Sequence, residues 1–376
     1  MKEKSNVGKK IIVAVFFLFL SGFSVVASFL PDKLVSKTER RTLAQKPEFS
    51  IENIWNGSYM QKLETYFLEQ FAGRELFRTI KAETEAGILG KSDSNDYYKV
   101  EDGIYKLDVC LNEKNIIRAA GAFSRIKKKA FPDTESYFAV IPDKNYFVAG
   151  ENGYPSLDYE RLNELMQKQM QDISYIDIYG LLEPDDYYRT DLHWKQECIP
   201  DVAEELLMQM NMSMDNVKTE QYKKRTAKED FYGGYAGASA FVTEPDELHY
   251  LTNGIIEQAI VYDYETKQET TIYAEDKLEG TDAYDFYLGG AKALLTIKNP
   301  VNSNGKKLLM FRDSFGSSIA PLLLEEYEEI TLVDLRYISE SYLLEILDMK
   351  EFDNALFLYS TTVLNHSDSM KINEKI

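Results

Sequence analysis

Leu308-Leu309-Met310-Phe311-Arg312-Asp313-Ser314-Phe315 is the stretch on which the fold turns. Its apolar run, Leu308 to Phe311, reads as a buried strand, and Ser317 to Glu326 beyond it reads as a helix. Ser314 therefore falls at a strand-to-helix junction, over a helix N-terminus whose free N–H groups can stabilise a developing oxyanion. Taken alone, a serine at a helix start is more often a cap than a nucleophile. Far upstream, Thr190-Asp191-Leu192-His193-Trp194 sets a carboxylate two residues before an imidazole. That spacing lets Asp191 hold His193 in one tautomer while the other ring nitrogen faces a hydroxyl. The two strings together offer a nucleophile, a base and an orienter.

The surrounding pattern alternates strands with helices. Strands are expected at 136–141, 174–178, 307–311, 329–334 and 355–359, a hairpin strand at 102–107, and helices at 112–130, 157–171, 200–210 and 339–349. This is the rhythm of an α/β chain in which a mostly parallel sheet is covered on both faces. Functional groups gather at the carboxyl ends of such strands, which puts Lys144, Asp177, Ser314, Arg336 and Ser360 on one rim. Arg336 and Lys144 are candidate substrate-binding groups there, each with a structural ion pair as its alternative. Trp194 either stacks on a sugar or packs in the core. Asp313 is expected to accept turn N–H bonds and fix the serine backbone. A phosphoryl-acceptor role for it lacks a second acid in Asp-x-Asp spacing. Between about 216 and 306 the composition shifts toward Tyr, Thr and Gly with alternating residues, as in 259–264 and 269–273. The expected element is an antiparallel β insertion, either a wall or lid of the cleft or a decoration without ligand contact.

The chain of 376 residues carries 62 acidic against 43 basic side chains, a net charge of −19, so phosphate backbones would be repelled and nucleic-acid binding is excluded. Residues 11–30 are uncharged and follow Lys2, Lys4, Lys9 and Lys10, the pattern of a transmembrane anchor with residues 1–10 as a cytoplasmic tail. The rest of the chain would then lie outside the cytoplasm. A cleaved signal peptide ending near Val25-Val26-Ala27, and a secreted product, is the alternative. Residues 31–94 are expected to form a helical neck and 95–376 the main domain. Cys110 and Cys198 are read as two unpaired thiols, although an oxidising exterior would permit a bridge. His193, His249 and His366 are too far apart for a helical metal pair, and no metal or cofactor is expected, though sites of carboxylates alone stay open.

Ser36-Lys37-Thr38-Glu39-Arg40-Arg41, Leu43, Pro47 and Phe49, then Tyr66, Phe71 and Arg74, resemble the start of the DHHW proteins, membrane-anchored exported proteins of Gram-positive bacteria. The family's signature is similar to Thr190-Asp191-Leu192-His193-Trp194, with Leu192 where the family has its first histidine. Its later blocks resemble Tyr284, Leu288-Gly289-Gly290, Arg312-Asp313-Ser314-Phe315, Pro321-Leu322 and Asp334-Leu335-Arg336-Tyr337. That family in turn looks like the SGNH-hydrolase-like proteins of alginate O-acetylation, AlgJ and AlgX. The resemblance implies an SGNH-like three-layer αβα domain with Ser314 as nucleophile, His193 as general base and Asp191 as orienter. It implies an O-acetyltransferase or acetylesterase acting on a cell-surface or secreted polysaccharide, with an acyl donor delivered by a membrane partner or by the glycan itself. A fold can outlive its chemistry, so a non-catalytic glycan-binding or assembly protein is the alternative.

Overall fold

The computed structural model describes residues 2–36, 38–211 and 222–372. Met1, Lys37 of the N-terminal motif, residues 216–221 of the expected insertion and residues 373–376 lie outside the described residues. Contacts divide the chain into two units, residues 1–92 with 240–242, and residues 93–239 with 243–376.

The first unit is mainly helical. A 28-residue helix, Lys2–Phe29, carries the apolar stretch, yet among the described residues no helix is long and apolar enough to cross a membrane. Helices Ile51–Trp55, Ser58–Glu69 and Arg74–Glu83 follow a small hairpin that pairs Val35–Ser36 with Arg41–Thr42. The motif residues of this region meet each other: Glu39 takes Arg74 at 2.6 Å, Arg41 at 3.1 Å and Arg78 at 3.4 Å, and Arg41 also reaches Glu69 at 2.7 Å. Partial burial works against the Glu39 charge, but the Arg74 hydrogen bond and the neighbouring guanidinium groups outweigh it and hold the carboxyl below its usual range. Their role is to tie hairpin to helices.

The second unit is built on an eight-stranded sheet. From edge to edge its strands are Gln268–Thr270, Ile260–Asp263, Leu294–Lys298, Glu329–Val333, Lys307–Arg312, Asn354–Ser360, Glu135–Ile141 and Ser174–Tyr175. The last five pair in parallel and the first three add antiparallel. Both faces are covered because the central strands are apolar on both sides. Phe311 and Phe357 point to one layer, where Ile116, Phe123 and Ile126 of helix Glu113–Ala130 meet them. Met310 and Leu356 point to the other, against Val202 and Leu206 of helix Pro200–Gln209. Helix Glu113–Ala130 buries positions 116, 119, 120, 123 and 126, the spacing of one helical face. Asn112 caps its start by accepting from the Asn115 N–H, and Lys127, Lys128 and Lys129 fill its last turn.

Several boundaries differ from the sequence reading. The helix after Ser314 is short: Gly316–Ile319 gives way to a 3₁₀ turn, Ala320–Leu323, because Pro321 lacks the N–H that would continue it. The strand expected at 174–178 pairs at Ser174 and Tyr175 and makes its last bond from the Ile176 N–H to the Phe138 carbonyl, since the Asp177 carboxylate accepts the Tyr179 N–H and bends the chain away. The stretch expected as one insertion splits in two. Ile260–Asp263, Gln268–Thr270 and Leu294–Lys298 extend the main sheet at one edge, because Leu294–Lys298 finds the unpaired side of Glu329–Val333. Among the described residues of this stretch, Lys223–Phe231 with Asp246–Thr252 forms a separate antiparallel ribbon.

Candidate active site

Ser314 stands at the carboxyl end of the central strand Lys307–Arg312, in the turn before Gly316–Ile319. It is half-buried, whereas its flanking residues from 308 to 324 are buried, so its hydroxyl is the part of this turn that opens outward. Asp313 behaves as expected. Its Oδ1 accepts the Phe315 N–H at 3.1 Å, and its Oδ2 accepts the Ser360 N–H at 2.8 Å and hydroxyl at 2.7 Å. The Ser314 turn is thereby tied to the neighbouring strand.

The structure brings His193 to this hydroxyl: Nε2 lies 2.8 Å from Ser314 Oγ. Asp191 Oδ1 lies 2.5 Å from the ring's Nδ1 and also accepts the His193 backbone N–H at 3.1 Å. Asp191 is fully buried, and its second oxygen accepts the Gly234 N–H at 2.6 Å. With Nδ1–H donating to the carboxylate, Nε2 is left to accept from the hydroxyl.

Residues that sequence reasoning did not single out hold the His193 loop. Asp246, from the ribbon, accepts the Thr190 N–H at 2.8 Å and hydroxyl at 2.6 Å, and the Arg189 N–H at 3.1 Å. Thr190 Oγ1 accepts the Gly233 N–H at 2.8 Å. Gly233 has to be glycine: a Cβ there would lie 2.3 Å from Asp191 Cβ and 2.4 Å from the Thr190 carbonyl oxygen. The adjacent glycines of Gly233-Gly234 were the available signal.

Trp194 is fully buried, so no ring face is offered to a sugar. Its indole N–H donates to Ser318 Oγ at 2.8 Å, and the Tyr284 hydroxyl donates to the same oxygen at 2.9 Å. Ser318 in turn donates to the Phe315 carbonyl at 3.2 Å. Gln196 adds a bond from Nε2 to the Ser318 carbonyl at 2.7 Å. These bonds fasten the histidine segment to the serine segment. Tyr284 also lies flat on the imidazole, ring centroids 3.8 Å apart and planes within 7°.

Lys144 and Arg336 do not face the hydroxyl as free charges. Arg336 is locked on Asp334, Nη2 at 2.7 Å and Nε at 3.0 Å, which is the ion-pair alternative. Lys144 is buried, and its Nζ donates to the carbonyls of Tyr188 at 2.8 Å and Arg189 at 3.2 Å, just before Asp191. Burial lowers its pKa to about 7, opposed by the charges of Asp191 and Asp246. The expected free N–H groups at the helix start are also reduced. Those of Phe315, Gly316 and Ser317 are taken by Asp313 Oδ1 and by the carbonyls of Asp313 and Ser314. Among the described residues the Ser314 N–H has no hydrogen-bond partner. Cys110 and Cys198 are both free thiols, and burial pushes Cys198 up to about 11.

Residues 162–333 match the model of the DHHW protein family. The sequence matches none of the curated proteins. Among solved structures, a DHHW family protein from Eubacterium siraeum superposes with a TM-score of 0.59 at 20% identity, over 74% of this chain and 94% of that one. Bacillus cereus PatB1 bearing a sulfonyl adduct gives 0.56 at 16% identity, over 71% and 97%. The O-acetyltransferase domain of Pseudomonas putida AlgJ is a looser likeness, 0.40 at 10% identity over 67% and 83%. At these identities the likeness is one of fold. The chain thus carries the DHHW family match across residues 162–333, on a fold similar to that of a solved DHHW family protein.

Proposed function

We propose that the chain is an acyl-transfer enzyme, an O-acetyltransferase or acetylesterase acting on a cell-surface or secreted polysaccharide, with Ser314 as nucleophile, His193 as base and Asp191 as orienter. The observation that carries this reading is the unbroken contact from Ser314 Oγ to His193 Nε2 at 2.8 Å and from Nδ1 to Asp191 at 2.5 Å. In it, Ser314 Oγ attacks the acetyl carbonyl as its proton passes to Nε2, and the Ser314 N–H faces the tetrahedral oxygen. The imidazolium returns the proton to the departing alcohol. A sugar hydroxyl or water, deprotonated by the same nitrogen, then takes the acetyl group.

The full chain in detergent should hydrolyse a chromogenic acetyl ester, and Ser314→Ala should lower kcat by at least about 10³-fold. PatB1 is described with a sulfonyl adduct, and by analogy a sulfonyl fluoride should add covalently to this chain at Ser314. A folded wild type that takes neither reagent would leave the scaffold reading standing.

The same proposal tethers residues 31–376 outside the cytoplasm through residues 11–30. Four preceding lysines and twenty uncharged residues support it. An alkaline wash that released the chain from membranes would count against the tether and favour the secreted form.

A further inference from the structure

The imidazole of His193 is gripped by rings as well as by its hydrogen bonds. Tyr284 covers one face in parallel, 3.8 Å between centroids and 7° between planes, and Phe315 closes in at 4.8 Å and 53°. The Tyr284 ring cannot slide. It is 4% exposed, its hydroxyl donates to Ser318 Oγ at 2.9 Å, and its backbone N–H donates to Asp282 Oδ1 at 2.9 Å. Parallel contact this close sets the imidazole against the face of the phenol ring, and the negative face of such a ring attracts a cation held against it.

We propose that Tyr284 is a positioning residue for His193, fixing the imidazole plane so that Nδ1 and Nε2 meet Asp191 and Ser314 together, and stabilising the imidazolium that forms when Ser314 gives up its proton. This deepens the acyl-transfer reading and rests on it. Tyr284 takes no proton itself. The proton leaves Ser314 Oγ, sits on Nε2 while Nδ1–H stays on Asp191, and departs with the leaving alcohol. Burial pushes the Tyr284 hydroxyl well above the usual tyrosine range, so the ring stays neutral and acts through its face alone. The charged groups around the imidazole are few. Asp191 is bonded to it, Lys144 and Asp246 hold the loop behind Asp191, and Asp313 from the serine turn and Asp282 from the Tyr284 segment act on Tyr284. None of them lies flat against the imidazole as Tyr284 does.

The chain has three histidines, so their ring signals can be told apart by proton–carbon NMR, with His193 assigned by its loss in His193→Gln. In wild type the His193 signals should be displaced by the ring current of Tyr284, and the Nδ1–H proton held by Asp191 should give a low-field signal protected from exchange. In Tyr284→Leu the Tyr284 part of that displacement should vanish and the Nδ1–H signal should be lost to exchange, whereas Tyr284→Phe should retain both. On an acetyl ester, Tyr284→Leu should lose about tenfold in kcat at unchanged KM, while Tyr284→Phe stays within about twofold. Tyr284→Met, which has a flexible side chain and no ring, serves if the leucine variant does not fold. A folded ring-less variant whose Nδ1–H signal equals that of wild type would overturn the proposal. If the signal is lost but wild type shows no Ser314-dependent turnover, the acyl-transfer reading fails and the positioning of the imidazole stands. If turnover depends on Ser314 and the signal persists in the ring-less variant, the reverse holds.

Discussion

Lys144 is a case where burial decides what a charged side chain does. Its ammonium is removed from water, and the two carbonyls it serves belong to the loop that ends in Asp191. The folded state holds the proton less tightly than the unfolded chain, whose lysine titrates near 10.5, against about 7 here. Between those values the unfolded chain binds more protons, so this group's contribution to stability is fully present above pH 10.5 and lost as pH falls through about 7. In Lys144→Met, measured by denaturant unfolding across pH 6 to 10, the wild-type advantage should therefore grow with pH. Trp194→Phe keeps a ring in the core but removes the indole donor, and should cost about 1 to 2 kcal/mol by the same measurement. Ser314, His193 and Asp191 were legible because each sits at a position whose local geometry is readable, a strand end and an Asp-x-His turn. Arg336, Lys144 and Trp194 were placed on the right segments, but whether such a side chain faces solvent or its neighbours depends on contacts that a linear pattern does not contain.

The elements differ in how openly the sequence displays them. Lys307–Arg312 and Asn354–Ser360 are apolar on both faces, flanked by helices with caps, and their limits were readable to within a residue or two. Ser174–Tyr175 and Gly316–Ile319 were read too long, because Asp177 and Pro321 end them through side-chain and ring effects that hydropathy does not register. The ribbon was the least legible. Its Asp246 carboxylate and the backbone N–H groups of Gly233 and Gly234 in the segment just after its first strand are all remote in sequence from the loop they support. Gly233→Ala should force Asp191 aside, since its new methyl overlaps the Asp191 Cβ, and lower kcat by about 100-fold in a chain that still folds. Kinetics alongside a circular-dichroism melt would check both halves. Asp313→Ala strands the Ser360 N–H and hydroxyl and the Phe315 N–H, and should cost about 3 kcal/mol of unfolding free energy.

At the scale of the whole molecule, the net charge of −19 repels anionic partners on approach. If the acceptor is a polysaccharide, a neutral polymer approaches freely and an anionic one is held off. Turnover on an anionic glycan should rise as salt is raised from about 10 to 150 mM, where the Debye length shrinks to about 8 Å, and turnover on a neutral glycan should stay level. The parallel sheet explains why two strings so distant in the chain meet at all: crossover connections return successive strands to the same rim. One oxygen gathers three of the bonds that close the meeting. Ser318 receives Trp194 and Tyr284 and passes its own hydrogen to Phe315. A drift to alanine at 318 would orphan two donors at once, so changes at positions 194, 284 and 318 should prove epistatic, tolerated as a joint replacement and penalised one at a time.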